Sequence, residues 1–361
     1  MQNISLADFL EYRFLSKLQL SPDGTKAAFV VSRQNKQENN YAADIYLAHC
    51  AAHSIKQLTH TGKEHDFVWD GADTLLFPSC RCKEDEAPRF YQKTVFYRLS
   101  LSGGEAYRAF EVPYDVKEIC PCGDGVHYAM AVRIDHTRPD PRTHTMEECE
   151  DAEDYILLEE MPFATNGEGY TSRVRMTLAL YNAETDETKL LTPPMFMLGA
   201  FRWAGKQLVY TGHSYTTVKA KTKGMYAYSL ATGETRTMVE DGALAIYHIG
   251  EEEGTVLFTA SDLKQYGSAS GQDFYKLSLA GGGCEKLLAH ELVPGTSPIT
   301  DSTYGSGNAF VCAQGAAYYI VLDRFQSHIR SIDAAGVQQE ILGFDGGIQT
   351  VSYTHLRAHE T

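Results

Sequence analysis

LSPDGTKAAFVVSR, residues Leu20–Arg33, sets a turn directly against a strand. Pro22 fixes its own φ, Asp23 and Gly24 complete the turn, and Ala27-Ala28-Phe29-Val30-Val31 follows as an apolar run of strand length. A lone hairpin would contain this pattern once. Here it recurs along the chain.

A short piece at Leu18–Leu20 precedes the turn, and strands at Lys26–Ser32, Asp44–Leu47 and Ser54–Thr59 complete a first unit. The second repeats the order with His65–Trp69, a Gly71-Ala72-Asp73 turn, Thr74–Phe77, Val95–Leu99 and Glu105–Phe110. The third opens at Val116, turns at Gly123-Asp124-Gly125 and runs from His127 to Ile134. After a long insertion it closes with Thr177–Tyr181 and Thr188–Thr192. The fourth runs from Leu198 through Gln207–Tyr210 and Met225–Tyr228 to Arg236–Val239, and the fifth uses Ala245–His248, Thr255–Phe258, Phe274–Leu277 and Cys284–Leu288. A sixth extends from about Ile299 to Leu342.

A four-stranded unit with a period of about 45 to 55 residues is the signature of a β-propeller. Stacked sandwich domains are the competing architecture. They need no fixed strand order across the whole chain, whereas radial repetition requires it. The expected fold is therefore all-β, a seven-bladed-type β-propeller with about six blades present and a seventh incomplete, opening at Asp345–Thr350. Ahead of it, residues 1–18 read as a short helix: Ser5 and Asp8 form a capping box, and Leu6, Phe9, Leu10 and Phe14 have helical spacing. The propeller then occupies 19–350, with an insertion at 135–175 in blade three. VSYTHLRAHET, residues 351–361, fits no blade strand and reads as an adapter-derived tail, the alternative being an authentic polar C-terminus.

The chain has 361 residues, of which 43% are hydrophobic and 22% charged, the balance of a globular protein with a sizeable core. A net charge of −15 opposes nucleic-acid binding, which needs clustered Lys and Arg. No signal-peptide pattern and no membrane-length apolar run occurs, so a cytoplasmic protein without a membrane partner is expected. The close cysteine pairs, Cys80 with Cys82 and Cys120 with Cys122, would each share a face if they lay on strands, the arrangement a strand-borne zinc site requires. Neither forms the usual turn-borne zinc knuckle. Ordinary cysteines without a metal are expected.

No serine nucleophile elbow appears. Gly267-Ser268-Ala269-Ser270-Gly271 puts Ala269 at its centre, and Tyr304-Gly305-Ser306-Gly307 lacks the flanking spacing. There is no P-loop, no H-E-x-x-H and no G-x-G-x-x-G opening a helix, so no catalytic residue and no cofactor is assigned.

The distinctive segment is the insertion. Its first half is acidic, with Glu147, Glu148, Glu150, Asp151, Glu153 and Asp154, and reads as a solvated face or mobile loop. Its second half leads into LEEMPFATNGEGYTSRVRMTLALY, Leu158–Tyr181. Together with the leading helix and the LSPDG turn, this run resembles the N-terminal propeller of the prolyl oligopeptidase family of serine peptidases, in its acylaminoacyl-peptidase-like branch. The resemblance covers roughly residues 5–350. One departure is Ala164, where a tryptophan often follows Pro-Phe.

The resemblance implies a substrate-gating propeller whose partner is a C-terminal α/β-hydrolase domain bearing the catalytic residues, acting on short peptides. The alternative is a free-standing propeller that binds a protein. The insertion is expected to fold over the face that meets the hydrolase domain. There Glu159, Glu160, Glu168, Arg173 and Arg175 would make polar contacts to substrate or partner domain, with Phe163 and Tyr170 packed beneath. Arg173 and Arg175 stand at i and i+2 and share a side if both enter a strand. The alternative is that the two arginines merely pair with neighbouring acids at the surface, for under about 1 kcal/mol.

Overall fold

The structure is a computed structural model and describes residues 5–295, 308–324, 326–345, 347–348 and 352. Six four-stranded sheets follow one another along the chain, each with its strands in sequence order, in a six-blade β-propeller arrangement. The first consists of Arg13–Leu20, Lys26–Asn35, Asn40–His49 and Ser54–Gln57, the second of Val68–Trp69, Thr74–Pro78, Thr94–Ser100 and Tyr107–Val112. The third holds Asp115–Pro121, His127–Asp135, Val174–Asn182 and Glu187–Leu190, and the fourth Phe196–Ala204, Gln207–Ser214, Gly224–Ser229 and Thr235–Val239. Ala245–Glu252, Thr255–Ser261, Asp273–Ser278 and Glu285–Leu288 make the fifth; Phe310–Ala313, Ala316–Asp323, Gln326–Asp333 and Gln338–Phe344 make the sixth.

The middle strands explain the absence of simple alternation in runs such as Ala27–Val31. Tyr128, Ala129, Met130, Ala131 and Val132 are all buried in succession, because both faces of such a strand are covered. The fourth strands are less covered, and Gln338–Phe344 is exposed along its whole length, Ile341, Leu342 and Phe344 included.

The LSPDG turn works as its composition demands. Gly24 takes φ +70°, Ser21 Oγ accepts from Lys26 N at 3.0 Å, and Asp23 accepts from Ser21 and Thr25 hydroxyls. Those hydrogen bonds, Ser21's first, bring the Asp23 carboxyl down to about 2.

The N-terminal helix is much shorter than expected. Ser5 and Asp8 do form the capping box, with Ser5 N donating to Asp8 Oδ2 at 2.8 Å, but the helix is a 3₁₀ segment, Leu6–Glu11. Residues 13–20 are instead the first strand, where Phe14 opposes Ser32 and Leu20 opposes Ala27. A ladder against Lys26–Asn35 satisfies their backbone groups, while a short isolated helix does not repay its nucleation. Of the expected seventh opening strand only Asp345, Gly347 and Ile348 are described, and none of these is in a strand; the start of the sixth copy near Ile299, Tyr304–Gly307 and nearly all of the 351–361 tail lie outside the described residues.

Contacts divide the chain into two units, Met1–Arg81 with Phe96–Ala109 and Leu287–Thr361, and Cys82–Val95 with Phe110–Lys286. In the first, buried Glu64 accepts from Thr61 Oγ1, Ser79 Oγ and Arg81, and buried Asp44 from Arg33 and Gly62 N. In the second, Leu178, Leu180, Phe201, Leu208 and Tyr210 share a core cluster, and Trp203 Nε1 donates to Cys120 O at 2.9 Å. The insertion belongs wholly to this second unit.

Candidate functional site

The second half of the insertion is pinned by one buried ion pair. Arg175, fully buried in the strand Val174–Asn182, gives both terminal nitrogens to Glu160, at 3.0 and 2.5 Å. Its remaining hydrogens go to the carbonyls of Met195, Val174 and Tyr215, and its guanidinium lies 3.8 Å from the Tyr215 ring centroid. Glu160 accepts in addition from Arg173 N at 2.8 Å. Burial by itself would raise the Glu160 carboxyl; the hydrogen bonds from Arg175 and Arg173 outweigh it and leave the carboxyl lowered. Around this pair Met161 N donates to Thr217 O at 2.7 Å and Lys219 N to Met161 O at 3.0 Å, so the insertion is stitched to blade four.

Two expectations are corrected here. Arg173 and Arg175 do not act side by side, because Arg173 precedes the strand and sits at φ +56°, which turns it outward. It pairs with Glu159 at 2.8 Å on the surface, a contact worth under about 1 kcal/mol. Arg175 alone is internal. Nor do Phe163 and Tyr170 pack beneath: both are exposed, on a hairpin of two-residue strands, Ala164–Thr165 and Gly169–Tyr170, too small to cover its own side chains. Glu168 lies exposed in its turn.

The acidic first half is ordered rather than a plain solvated loop. Thr145 caps a short helix, Met146–Asp151, through Glu148 N, and Glu148 returns the bond to Thr145 N at 2.8 Å. Arg89 then meets Glu150 at 3.0 Å and Glu153 at 2.8 Å, which relieves the repulsion among the carboxylates. Under this helix runs a cleft of about 1330 Å³ with Tyr91, Tyr114, Arg133, His136, Arg142 and Tyr155 in its walls. Reading the sequence did not single out any of these residues: Tyr91, Tyr114 and Arg133 fall outside the insertion, and His136, Arg142 and Tyr155 lie in the part of it whose acidic residues drew the reading. Tyr215 and Met195 were likewise invisible, since their part is played by backbone carbonyls and a ring reached from a different blade.

The cysteine pairs do not form strand-borne ligand sets. Cys80 and Cys82 follow the strand Thr74–Pro78, and Cys82 caps the 3₁₀ turn Lys83–Asp85; Cys122 follows Asp115–Pro121 and its thiol, pushed up by burial to about 11, approaches Gly205 O at 3.7 Å. Among the described residues no group of three or more His, Cys, Asp or Glu is placed to hold a metal. No helix among them is long and apolar enough to cross a membrane.

Comparison with solved structures bears on the fold. The acylaminoacyl peptidase of Pyrococcus horikoshii superposes with a TM-score of 0.66 at 15% identity, over 92% of this chain and 46% of that one. The fold is a β-propeller similar to the corresponding part of that peptidase. The β-propeller domain of the Trilobed protease from Pyrococcus furiosus matches at TM-score 0.57 and 12% identity, covering 92% of this chain and 84% of that domain. In sequence, the propeller is 29% identical over 201 residues, 54% of its length, to YuxL of Bacillus subtilis (strain 168), an uncharacterized peptidase of which the match covers 29%. No family model matches. The match thus covers less than half the length of the Pyrococcus horikoshii peptidase and of YuxL.

Proposed function

We propose that this chain is the propeller domain of a cytoplasmic serine peptidase of the prolyl oligopeptidase family, acylaminoacyl-peptidase-like, and that it limits access of short peptides to a catalytic α/β-hydrolase domain of the same protein. The observation that carries the reading is the outer surface of the insertion. Tyr155, Ile156, Leu157 and Leu158 are consecutive and exposed, and Met161, Phe163 and Tyr170 follow on the same segment, also exposed. The Glu160–Arg175 anchor holds this apolar strip in place, and monomeric proteins seldom leave so many large apolar side chains uncovered together. A rigid strip of this kind suits a permanent partner domain, with Glu159, Glu168 and Arg173 at its polar edge.

A free-standing propeller that binds a protein partner would use the same strip. The sequence of the gene beyond the codon for Thr350 separates the two. A G-x-S-x-G within about 250 residues, followed by Asp and His, supports the peptidase; a stop codon overturns it. In the full-length enzyme, Leu157→Asp with Leu158→Asp is expected to lower kcat/KM on peptides by about tenfold or more through loss of domain docking.

A further inference from the structure

The cleft under the first half of the insertion shares only Tyr155 with that strip, and its walls leave polar groups unanswered. Arg133 stands on His127–Asp135, the strand hydrogen-bonded between Asp115–Pro121 and Val174–Asn182, so its backbone is fixed on both sides. Its guanidinium makes no ion pair and no hydrogen bond among the described residues. The nearby acids are otherwise engaged: Asp115, opposite Arg133 in register, pairs with Lys117 at 2.8 Å, and Asp135 accepts from Thr137 N and Oγ1. His136 Nε2, in the same wall, is buried without a partner.

The other cations of the lining are occupied. Arg142 is bidentate on Asp140 and lies over the Tyr114 ring, and Arg138 donates to the Ala152 carbonyl. Arg133 is therefore the group left to receive an anion, and a guanidinium fork matches a carboxylate. The lining also carries the exposed acids Glu148, Asp151 and Glu153, which disfavour a polyanion and favour a ligand with a single carboxylate. At about 1330 Å³ the cleft exceeds the roughly 300–1000 Å³ of small-molecule pockets, so it has room for a chain of several residues.

We propose that this cleft binds the C-terminal end of a short, non-acidic peptide, with the free carboxylate on Arg133 and the terminal side chain against Tyr91 and Tyr155. It deepens the peptidase reading by naming the end of the peptide that the propeller holds, and rests on that reading for the ligand class. The test is calorimetric titration of the full chain with the tripeptide Ala-Ala-Phe and with its C-terminal amide. The acid is expected to bind about tenfold or more tightly than the amide, and Arg133→Gln to abolish that preference with the melting temperature unchanged. Arg133→Lys, which keeps the charge but not the fork, is expected to retain part of it. Equal binding of acid and amide, absence of binding by either, or a preference that survives Arg133→Gln would overturn the proposal. None of those results touches the gene-sequence and docking tests, so this inference and the peptidase reading fail separately.

Discussion

Arg175 and Glu160 carry more of the insertion's order than any other pair, because neither has water to fall back on. Removing one partner leaves the other charged, buried and unpaired, so Arg175→Ala and Glu160→Ala should each destabilise the second unit by about 3–5 kcal/mol in urea denaturation. Arg173→Ala, which breaks only the exposed pair with Glu159, should stay within about 1 kcal/mol of wild type. Equal effects of Arg173 and Arg175 would contradict the buried placement. A second consequence lies next door. His213 is 1% exposed, both ring nitrogens lack partners, and the ring stacks on Tyr215 at 5.4 Å. Burial is the main cause of its lowered pKa; Lys219, Lys223 and Arg175 add to it, and Asp241 opposes. With the folded value below 6.5, the unfolded chain binds the proton first, so stability present above 6.5 is lost as pH falls through it. Glu160 acts in the same direction only lower, below the 4.5 of a free carboxyl. Melting temperature should therefore fall between neutral pH and mildly acidic pH, and His213→Phe should flatten that slope, with His136, also lowered by burial, supplying a remainder. Identical slopes in wild type and variant would exclude His213 as the source.

At the scale of elements, the legible parts were those whose own residues dictate them. Turn chemistry and apolar runs located most strands of the first five sheets and the extent of the sixth, and the Ser5–Asp8 box is present, whereas the Thr145–Glu148 box went unread. What failed was extent and partner. The spacing of Phe9 and Phe14 suits a helix, but Phe14 gains a ladder partner, Ser32, that local sequence does not reveal. The i, i+2 argument for Arg173 and Arg175 assumed a strand that begins one residue too late for it. The cleft was missed for the same reason: Arg133 became notable only once its potential partners were seen to be engaged elsewhere. Packing between strands also sets a sharp tolerance. A Cβ on Gly212, in Gln207–Ser214, would stand 2.3 Å from the Phe196 ring and 2.5 Å from Met197 O. Gly212→Ala should cost at least about 1–3 kcal/mol, and Phe196→Leu in the same chain should recover part of the loss, as a double-mutant cycle would register. By contrast Thr145→Ala, which removes one cap from an exposed helix, should cost about 1 kcal/mol.

At the scale of the molecule, the repeat order predicted a seven-bladed-type propeller with about six blades present, because each blade satisfies its own strands, and that is why the fold was readable while the function of the insertion was not. A surface that needs a partner has no internal pattern announcing it; only the exposure of Tyr155 to Leu158 above a fixed anchor does so. Left uncovered, such a strip should find itself. The 361-residue chain is expected to associate as its concentration rises, since burying apolar surface contributes about 25 cal/mol per Å². Sedimentation velocity over a range of concentrations provides the measurement. Leu157→Asp with Leu158→Asp should shift the distribution to monomer without lowering the melting temperature, because both side chains are already solvated. A wild-type chain that stays monomeric at the highest concentrations, or association that persists in the double variant, would mean that the strip is not a contact surface. The docking role proposed for it would then have to pass to another face.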